Sequence, residues 1–476
     1  MRPLLLSALA ATVLSGGGLF SAEVPRPNLI WILADDLGWG DLGCYGQQVA
    51  RTPHLDRMAA EGLRFTHFYA GATVCAPSRS VLMTGLHHGH TRVRGNSGAH
   101  NPEAQALKPD DFTVAAALQK AGYRTALIGK WGLGDTGPAE TGLPRKQGFD
   151  EFFGYLNQRH AHNHFPDFLW RNEEKIALPN VVVPVGGDGA GYAEDGILFA
   201  DDLFADEALK FVSKNQDRPF FLYWSLVLPH ANNERAKELG DGAHVPDYGS
   251  YAKMDWPDPD KGHAAMITRM DGYVGRMLDR LAELGLDQNT LVVFTSDNGP
   301  HNESKHDLSR FNPSGPYTGT KRSLTDGGIR VPFIAWWPGT VKPGESAHVG
   351  YFPDWFPTAT ELAGTEAPAK LDGLSLVPTL RGKPEEQKQH EFLYWEFHEG
   401  GFQQAALYQG RWKGIRQGGP DAPVRLYDQE NDIAEQNDVA EKHPDIAAKI
   451  GDHLKTARTP LPEWEPRWEV PKGKGR

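Results

Sequence analysis

The chain has 476 residues, long enough for one large domain and a smaller one. Its 39% apolar and 23% charged residues describe an ordinary soluble globular protein, and a net charge of −12 argues against wholesale binding to nucleic acid. Only two cysteines occur, Cys44 and Cys75, so the chain is not a disulfide scaffold, and Cys44 reads as free and packed.

Residues 1–22 read as a secretory signal: Arg2 gives the positive start, Leu4 to Leu14 the apolar stretch, and small residues follow. That stretch is too short to span a bilayer as a helix. Cleavage after Ala22 competes with cleavage after Gly17. The expectation is a secreted or periplasmic protein with no membrane attachment once the signal is removed.

Pro27 to Leu33 is a continuous apolar run, the pattern of a strand buried on both faces, and it ends in Asp35 and Asp36. The stretch Cys75-Ala76-Pro77-Ser78-Arg79 places a cysteine at the mouth of a short helix. Pro77 suits a first helical turn, and Thr73 or Ser78 could supply capping oxygens. Further α/β units follow. Thr113 to Ala121 reads as a helix, Thr125 to Gly129 as a strand ending at Lys130, and Asp201 to Lys214 as a helix. Pro219 to Leu228 reads as a strand ending at Pro229-His230, and His263 to Leu284 as the longest helix. Asn289 to Ser296 repeats the buried-strand pattern and ends in Asp297-Asn298; Arg330 to Trp337 reads as a strand and Asp354 to Ala363 as a helix. A polar connector runs to Gln389. Four short strands (Glu391–Phe397, Gln404–Tyr408, Trp412–Arg416, Val424–Tyr427) and a helix from Pro444 to Ala457 close the chain. The fold class is therefore α/β: a mostly parallel central sheet between helices over 23–383, with a small antiparallel sheet plus helix over 384–476.

Carboxylates at the ends of central strands sit where open α/β sheets bind ligands. Asp35, Asp36, Asp297 and Asn298 together would make a hard-oxygen metal site suited to Ca²⁺ or Mg²⁺, whereas each pair alone is an ordinary turn or helix cap. On a helix, Arg79 shares a face with Cys75, and a nucleophile at a helix N-terminus beside a guanidinium is built to hold an anion. For Cys75 the competing reading is a small buried hydrophobe.

The run Cys75-Ala76-Pro77-Ser78-Arg79, with Thr84-Gly85 after it, resembles the signature of the type I sulfatases, members of the alkaline-phosphatase-like superfamily. The resemblance implies that a formylglycine-generating maturation enzyme oxidises Cys75 to formylglycine. It implies Ca²⁺, ahead of Mg²⁺, on Asp35, Asp36, Asp297 and Asn298. It assigns fixed positive charge to Arg79, Lys130 and Lys321, the last within the family-like loop Thr318 to Arg330, and makes His230 the general acid. One position departs: many sulfatases carry a histidine two residues after the strand-end lysine, and here Gly132 stands there. His160, His162 and His164, with His301, are the candidates to replace it, His162 first and His301 next. These two, with Arg94 and Asn96, are the substrate-binding candidates. The implied function is an exported, exo-acting hydrolase removing sulfate from a sulfated poly- or oligosaccharide. The alternatives are a phosphate or phosphonate ester hydrolase, or a non-catalytic sulfoglycan-binding protein if Cys75 is never converted.

Overall fold

Asn28–Ala34 is buried along its whole length because its side chains feed two cores. Ile30, Ile32 and Ala34 join one apolar cluster and Leu29, Trp31 and Leu33 the other, the strict alternation of a strand covered on both faces. A computed structural model describes residues 26–96, 101–187 and 189–468, so the signal expected over 1–22 lies outside the described residues.

This strand is the fifth of a ten-stranded sheet. From one edge the order is Gly344–Ser346, Leu63–Phe65, Phe333–Trp336, Thr290–Ser296, Asn28–Ala34, Phe220–Ser225, Arg124–Lys130, Glu151–Tyr155, Phe168–Arg171 and Glu174–Ala177. The five strands from Thr290–Ser296 to Glu151–Tyr155 are parallel, and Phe333–Trp336 and Phe168–Arg171 flank them in antiparallel sense. Helices Ala200–Lys214 and Asp258–Glu283 cover one face, with Phe204, Met266, Met270 and Met277 in the core beneath them. Helices Val114–Lys120 and Trp355–Leu362 cover the other.

The expected elements are present, with shifted ends. The long helix starts at Asp258 behind Pro257, because the proline and acidic residues there begin a helix ahead of its apolar stripe. The strand expected from Pro219 to Leu228 stops at Ser225, and that from Arg330 begins at Phe333. Sequence periodicity misses Leu63–Phe65, Glu151–Tyr155, and the Phe168–Arg171/Glu174–Ala177 hairpin. These strands are three to five residues long, too short for a periodicity to show, and Glu174–Ala177 is also largely exposed.

Phe392–Phe397, Gln403–Tyr408, Trp412–Gln417 and Arg425–Asp428 form the antiparallel meander expected near the C-terminus. Helix Pro444–Thr456 packs Ile450 and Leu454 on one face of it. The opposite face, with Leu393, Trp395 and Ile415, packs on Tyr69, Val74, Leu324 and Ile329. Val74 immediately precedes Cys75, and Leu324 and Ile329 belong to the Lys321 loop, so this small sheet braces two segments that carry candidate site residues. A buried polar joint reinforces the contact. Lys413 Nζ lies 2.9 Å from Asp326 Oδ1 and 3.4 Å from Glu435 Oε1, and Tyr69 Oη donates to Asp326 Oδ2 at 2.9 Å. Removing one partner of a buried ion pair strands the other charge. Lys413→Ala is therefore expected to lower stability by about 3 kcal/mol in denaturant unfolding, against at most about 1 kcal/mol for an exposed ion-pair lysine such as Lys383.

Candidate active site

Strand register brings the functional residues together. Ala34 pairs with Ser296, Leu33 with Ser225, and Ser225 with Gly129, so Asp35, Asp297 and Lys130 leave the sheet side by side at its C-terminal edge. The ladder continues one step further: Asp297 N donates to Ala34 O, and Asp35 N to Leu228 O, both at 3.1 Å. Asp36 then adopts a left-handed backbone, φ 64°, which aspartate tolerates better than most residues. Its N–H donates to Asp297 Oδ1 at 3.1 Å, and Asn298 Nδ2 donates to Asp36 Oδ1 at 2.8 Å. Asp35, Asp36, Asp297 and Asn298 are all fully buried, and among the described residues Asn298 Oδ1 has no hydrogen-bond partner.

Cys75 opens helix Cys75–Thr84 at the same place. The capping oxygen is not that of Thr73 or Ser78: Thr73 Oγ1 donates to Ser323 O at 2.8 Å, and Ser78 Oγ accepts from Gly71 N at 3.1 Å. Asn96 Oδ1 instead accepts from Ala76 N at 3.1 Å, which places Asn96 beside the candidate nucleophile. Cys75 Sγ lies 3.4 Å from Asp35 Oδ1. Burial, and then the Asp35 carboxylate, push its thiol well above the ordinary range. As encoded, this cysteine stays protonated and is a weak nucleophile.

Three cations face the three carboxylates. Arg79 donates from Nε and Nη2 to Asp297 Oδ2 at 3.1 and 2.8 Å, and from Nη1 to Lys130 O at 2.8 Å and to Ser225 Oγ. Lys130 Nζ lies 2.6 Å from Asp35 Oδ2. Lys321 Nζ lies 2.8 Å from Asp36 Oδ2, 3.0 Å from Glu303 Oε2 and 3.2 Å from His230 Nε2. Burial raises the carboxyl of Asp35, but Lys130, His230 and Arg79 together hold it well below its usual range. Asp297 is pushed up to about 7 by burial and by Asp35, despite Arg79. The pair crowds negative charge that a further cation would relieve.

His162, His164 and His301 adjoin His230 rather than the hollow at Gly132. His230 Nδ1 faces Ala231 O at 2.7 Å, and a carbonyl only accepts, so the proton sits on Nδ1 and Nε2 takes the Lys321 N–H. Burial and Lys321 hold this imidazole well below its ordinary pKa. His162 stacks on it at 5.0 Å with Nδ1 3.0 Å from Glu234 Oε2, and His164 Nε2 donates to His230 O at 2.9 Å. His301 spends both nitrogens on backbone: Nε2 lies 2.9 Å from Pro229 O, and Nδ1 accepts from Glu303 N at 3.0 Å. His160 packs between Tyr155 and Phe168. Arg94 is buried with Nη1 3.7 Å from Glu396 Oε1 on the small sheet.

None of the four candidate histidines fills the hollow at Gly132. A Cβ there would lie 2.0 Å from Gln158 Nε2, so Gln158 occupies that space. Sequence reasoning missed Gln158, which approaches only through tertiary folding. It missed Glu303 as well, although its closeness to Asp297 and Asn298 in sequence was a usable signal. Glu303 bridges Lys321 and Arg322, the latter at 2.6 Å.

A family model described as Sulfatase matches residues 27–365, and one described as N-sulphoglucosamine sulphohydrolase, C-terminal, matches residues 318–459. The chain is 35% identical over 390 residues to N-acetylgalactosamine-6-sulfatase of Canis lupus familiaris, spanning 78% of this chain and 69% of that protein. The solved structure of Ps i-CgsB superposes with a TM-score of 0.75 at 26% identity, covering 91% of this chain and 92% of that one. A sulfatase structure from Bacteroides thetaiotaomicron, from work on the metabolism of multiple glycosaminoglycans, gives 0.74 at 26% identity, covering 91% and 99%.

If Asn96 is the cap of the Cys75 helix, Asn96→Ala is expected to destabilise the protein by about 1 kcal/mol, while Thr73→Ser, which keeps its hydroxyl, changes stability by less than about 0.5 kcal/mol. Denaturant midpoints measured side by side check this.

Proposed function

The chain belongs to the sulfatase family of sulfuric ester hydrolases, and we propose that it is an exported, exo-acting sulfatase of sulfated carbohydrate, working with Ca²⁺ and with Cys75 converted to formylglycine. The observation that carries the reading is the convergence of Asp35, Asp36, Asp297 and Asn298 with Arg79, Lys130 and Lys321 around Cys75. A secreted or periplasmic location, and the division into 23–383 and 384–476, belong to the same proposal.

The residues fit both groups. The metal set is all-oxygen, entirely buried, and leaves Asn298 Oδ1 without a partner, as a hard cation requires. A buried thiol pushed upward is a poor nucleophile, so its conversion accounts for a cysteine in this place. When present, Ca²⁺ supplies positive charge beside sulfur, and hydrated formylglycine supplies the hydroxyl nucleophile.

The chain's own residues do the rest. Asp35 orients the group at position 75, and Lys130 and Arg79 hold Asp35 and Asp297 in place. Arg79 is locked by its contacts to Asp297, Lys130 O and Ser225, so it needs no reorganisation as negative charge gathers on the sulfuryl oxygens. The departing sugar alkoxide is strongly basic and must be protonated. Lys321 Nζ carries the proton and His230 Nε2, 3.2 Å away, carries only the lone pair, so the proton reaches the alkoxide from Lys321 Nζ, which is left neutral, while His230 Nε2 orients the ammonium. His162 and His164 fix the imidazole that takes part. The named relative acts on an N-acetylgalactosamine 6-sulfate, which makes that ester the first substrate to try.

Protein made with and without a formylglycine-generating enzyme separates the alternatives. The expected result is hydrolysis of the sugar 6-sulfate only by matured protein, an aldehyde in the Cys75 peptide by mass spectrometry, no turnover by Cys75→Ala, and an intact phosphate ester of the same sugar. Preference for the phosphate ester would favour the phosphohydrolase. Full activity with an unmodified thiol, or no turnover of either ester after maturation, would overturn the reading.

A further inference from the structure

A cavity of about 280 Å³ opens beside Gly132, two residues beyond Lys130. Leu156 and Pro138 form apolar wall, while Gln105, Asp135 and Gln158 supply polar groups. Its size suits a single sugar ring rather than a longer chain. Gln158 is the feature that asks for a ligand. The residue is 8% exposed and lines the cavity, yet among the described residues neither its Oε1 nor its Nε2 has a hydrogen-bond partner. A buried amide with both ends unmade is costly, and native proteins keep few of them. Its neighbours are already held: Gln105 Nε2 donates to Gly132 O at 3.2 Å, and Asn157 Nδ2 to Asp135 Oδ2 at 2.9 Å. Gly132 lets the amide reach this position, because its φ of 82° and the 2.0 Å approach of Gln158 Nε2 leave no room for a side chain.

We propose that this cavity is a subsite for a neutral pyranose adjoining the sulfated sugar, with the Gln158 amide donating to one ring hydroxyl and accepting from its neighbour. An amide matches a vicinal hydroxyl pair because it offers one donor and one acceptor edge, whereas a second sulfate would meet the Asp135 carboxylate, and the cationic lining residue, Arg159, is engaged by Glu234 Oε1 at 3.6 Å and Val185 O at 3.2 Å. The inference rests on the carbohydrate-sulfatase reading, which it deepens from the reacting ester to the next residue of the chain.

Two variants of the matured full chain test it: Gln158→Ala, which empties the position, and Gln158→Met, which keeps its volume without hydrogen bonds. The substrates are 4-nitrophenyl sulfate, which reaches only the catalytic groups, and N-acetylgalactosamine 6-sulfate linked to galactose. The desulfated disaccharide is titrated separately by calorimetry. Both variants are expected to raise KM for the disaccharide about 10-fold more than KM for 4-nitrophenyl sulfate, and to weaken binding of the desulfated disaccharide by a similar factor. Equal losses on both sulfate substrates, or no change on either, would overturn the subsite. So would failure of the desulfated disaccharide to bind wild-type protein. If wild-type protein cleaves no sulfate ester but binds the disaccharide through Gln158, the subsite stands and the sulfatase reading falls.

Discussion

Three carboxylates buried within a few ångströms of one another constrain everything else in this molecule. Each would cost several kcal/mol to desolvate alone, so Asp35, Asp36 and Asp297 persist only because Arg79, Lys130 and Lys321 are buried with them. Those cations come from a helix, a strand end and a loop far apart in sequence. The fold is thus held to a geometry in which the Cys75 helix, the Arg124–Lys130 strand and the Lys321 loop meet. The charges balance among themselves, and a bound divalent cation would leave the site positive, as binding an anionic ester requires.

The small sheet looks remote from the chemistry but is built into it. Lys413 and Glu435 both grip Asp326, Glu435 through the Asp326 N–H at 2.6 Å, and Thr318 Oγ1 donates to Ala434 O. Both ends of the Lys321 loop are therefore held by the C-terminal region. Trp395 Nε1 donates to Ala70 O at 2.9 Å on the approach to Cys75. The proposed site therefore lies at the C-terminal edge of the large sheet, while the small sheet packs on the residues that flank Cys75 and Lys321.

What the sequence reveals follows from how local each signal is. The strand-end pairs Asp35-Asp36 and Asp297-Asn298 are adjacent residues after apolar runs, so the proposed metal set can be read from the chain itself. The Cys75 motif is equally compact. The cap of its helix is not, because Asn96 reaches Ala76 N from a separate turn. The partner of Gly132 is also nonlocal: a missing histidine suggests a replacing histidine, yet the space is taken by Gln158, held in register by the Gly132 N–H to Leu156 O bond. The histidine-rich insert proves to be support for His230, stacked on its ring and bonded to its carbonyl. The exposed edge strand Glu174–Ala177 carries no local signal for the same reason: its order comes from its neighbour, not from its own periodicity.

The charge arrangement at the strand ends makes a direct demand on solution behaviour. Chelator-treated protein titrated with Ca²⁺ in a calorimeter should take up one ion per chain, and uptake should disappear in Asp297→Ala. Absence of binding heat in a folded wild-type chain, or undiminished uptake by the Asp297→Ala protein, would contradict the assignment of these residues as a cation site.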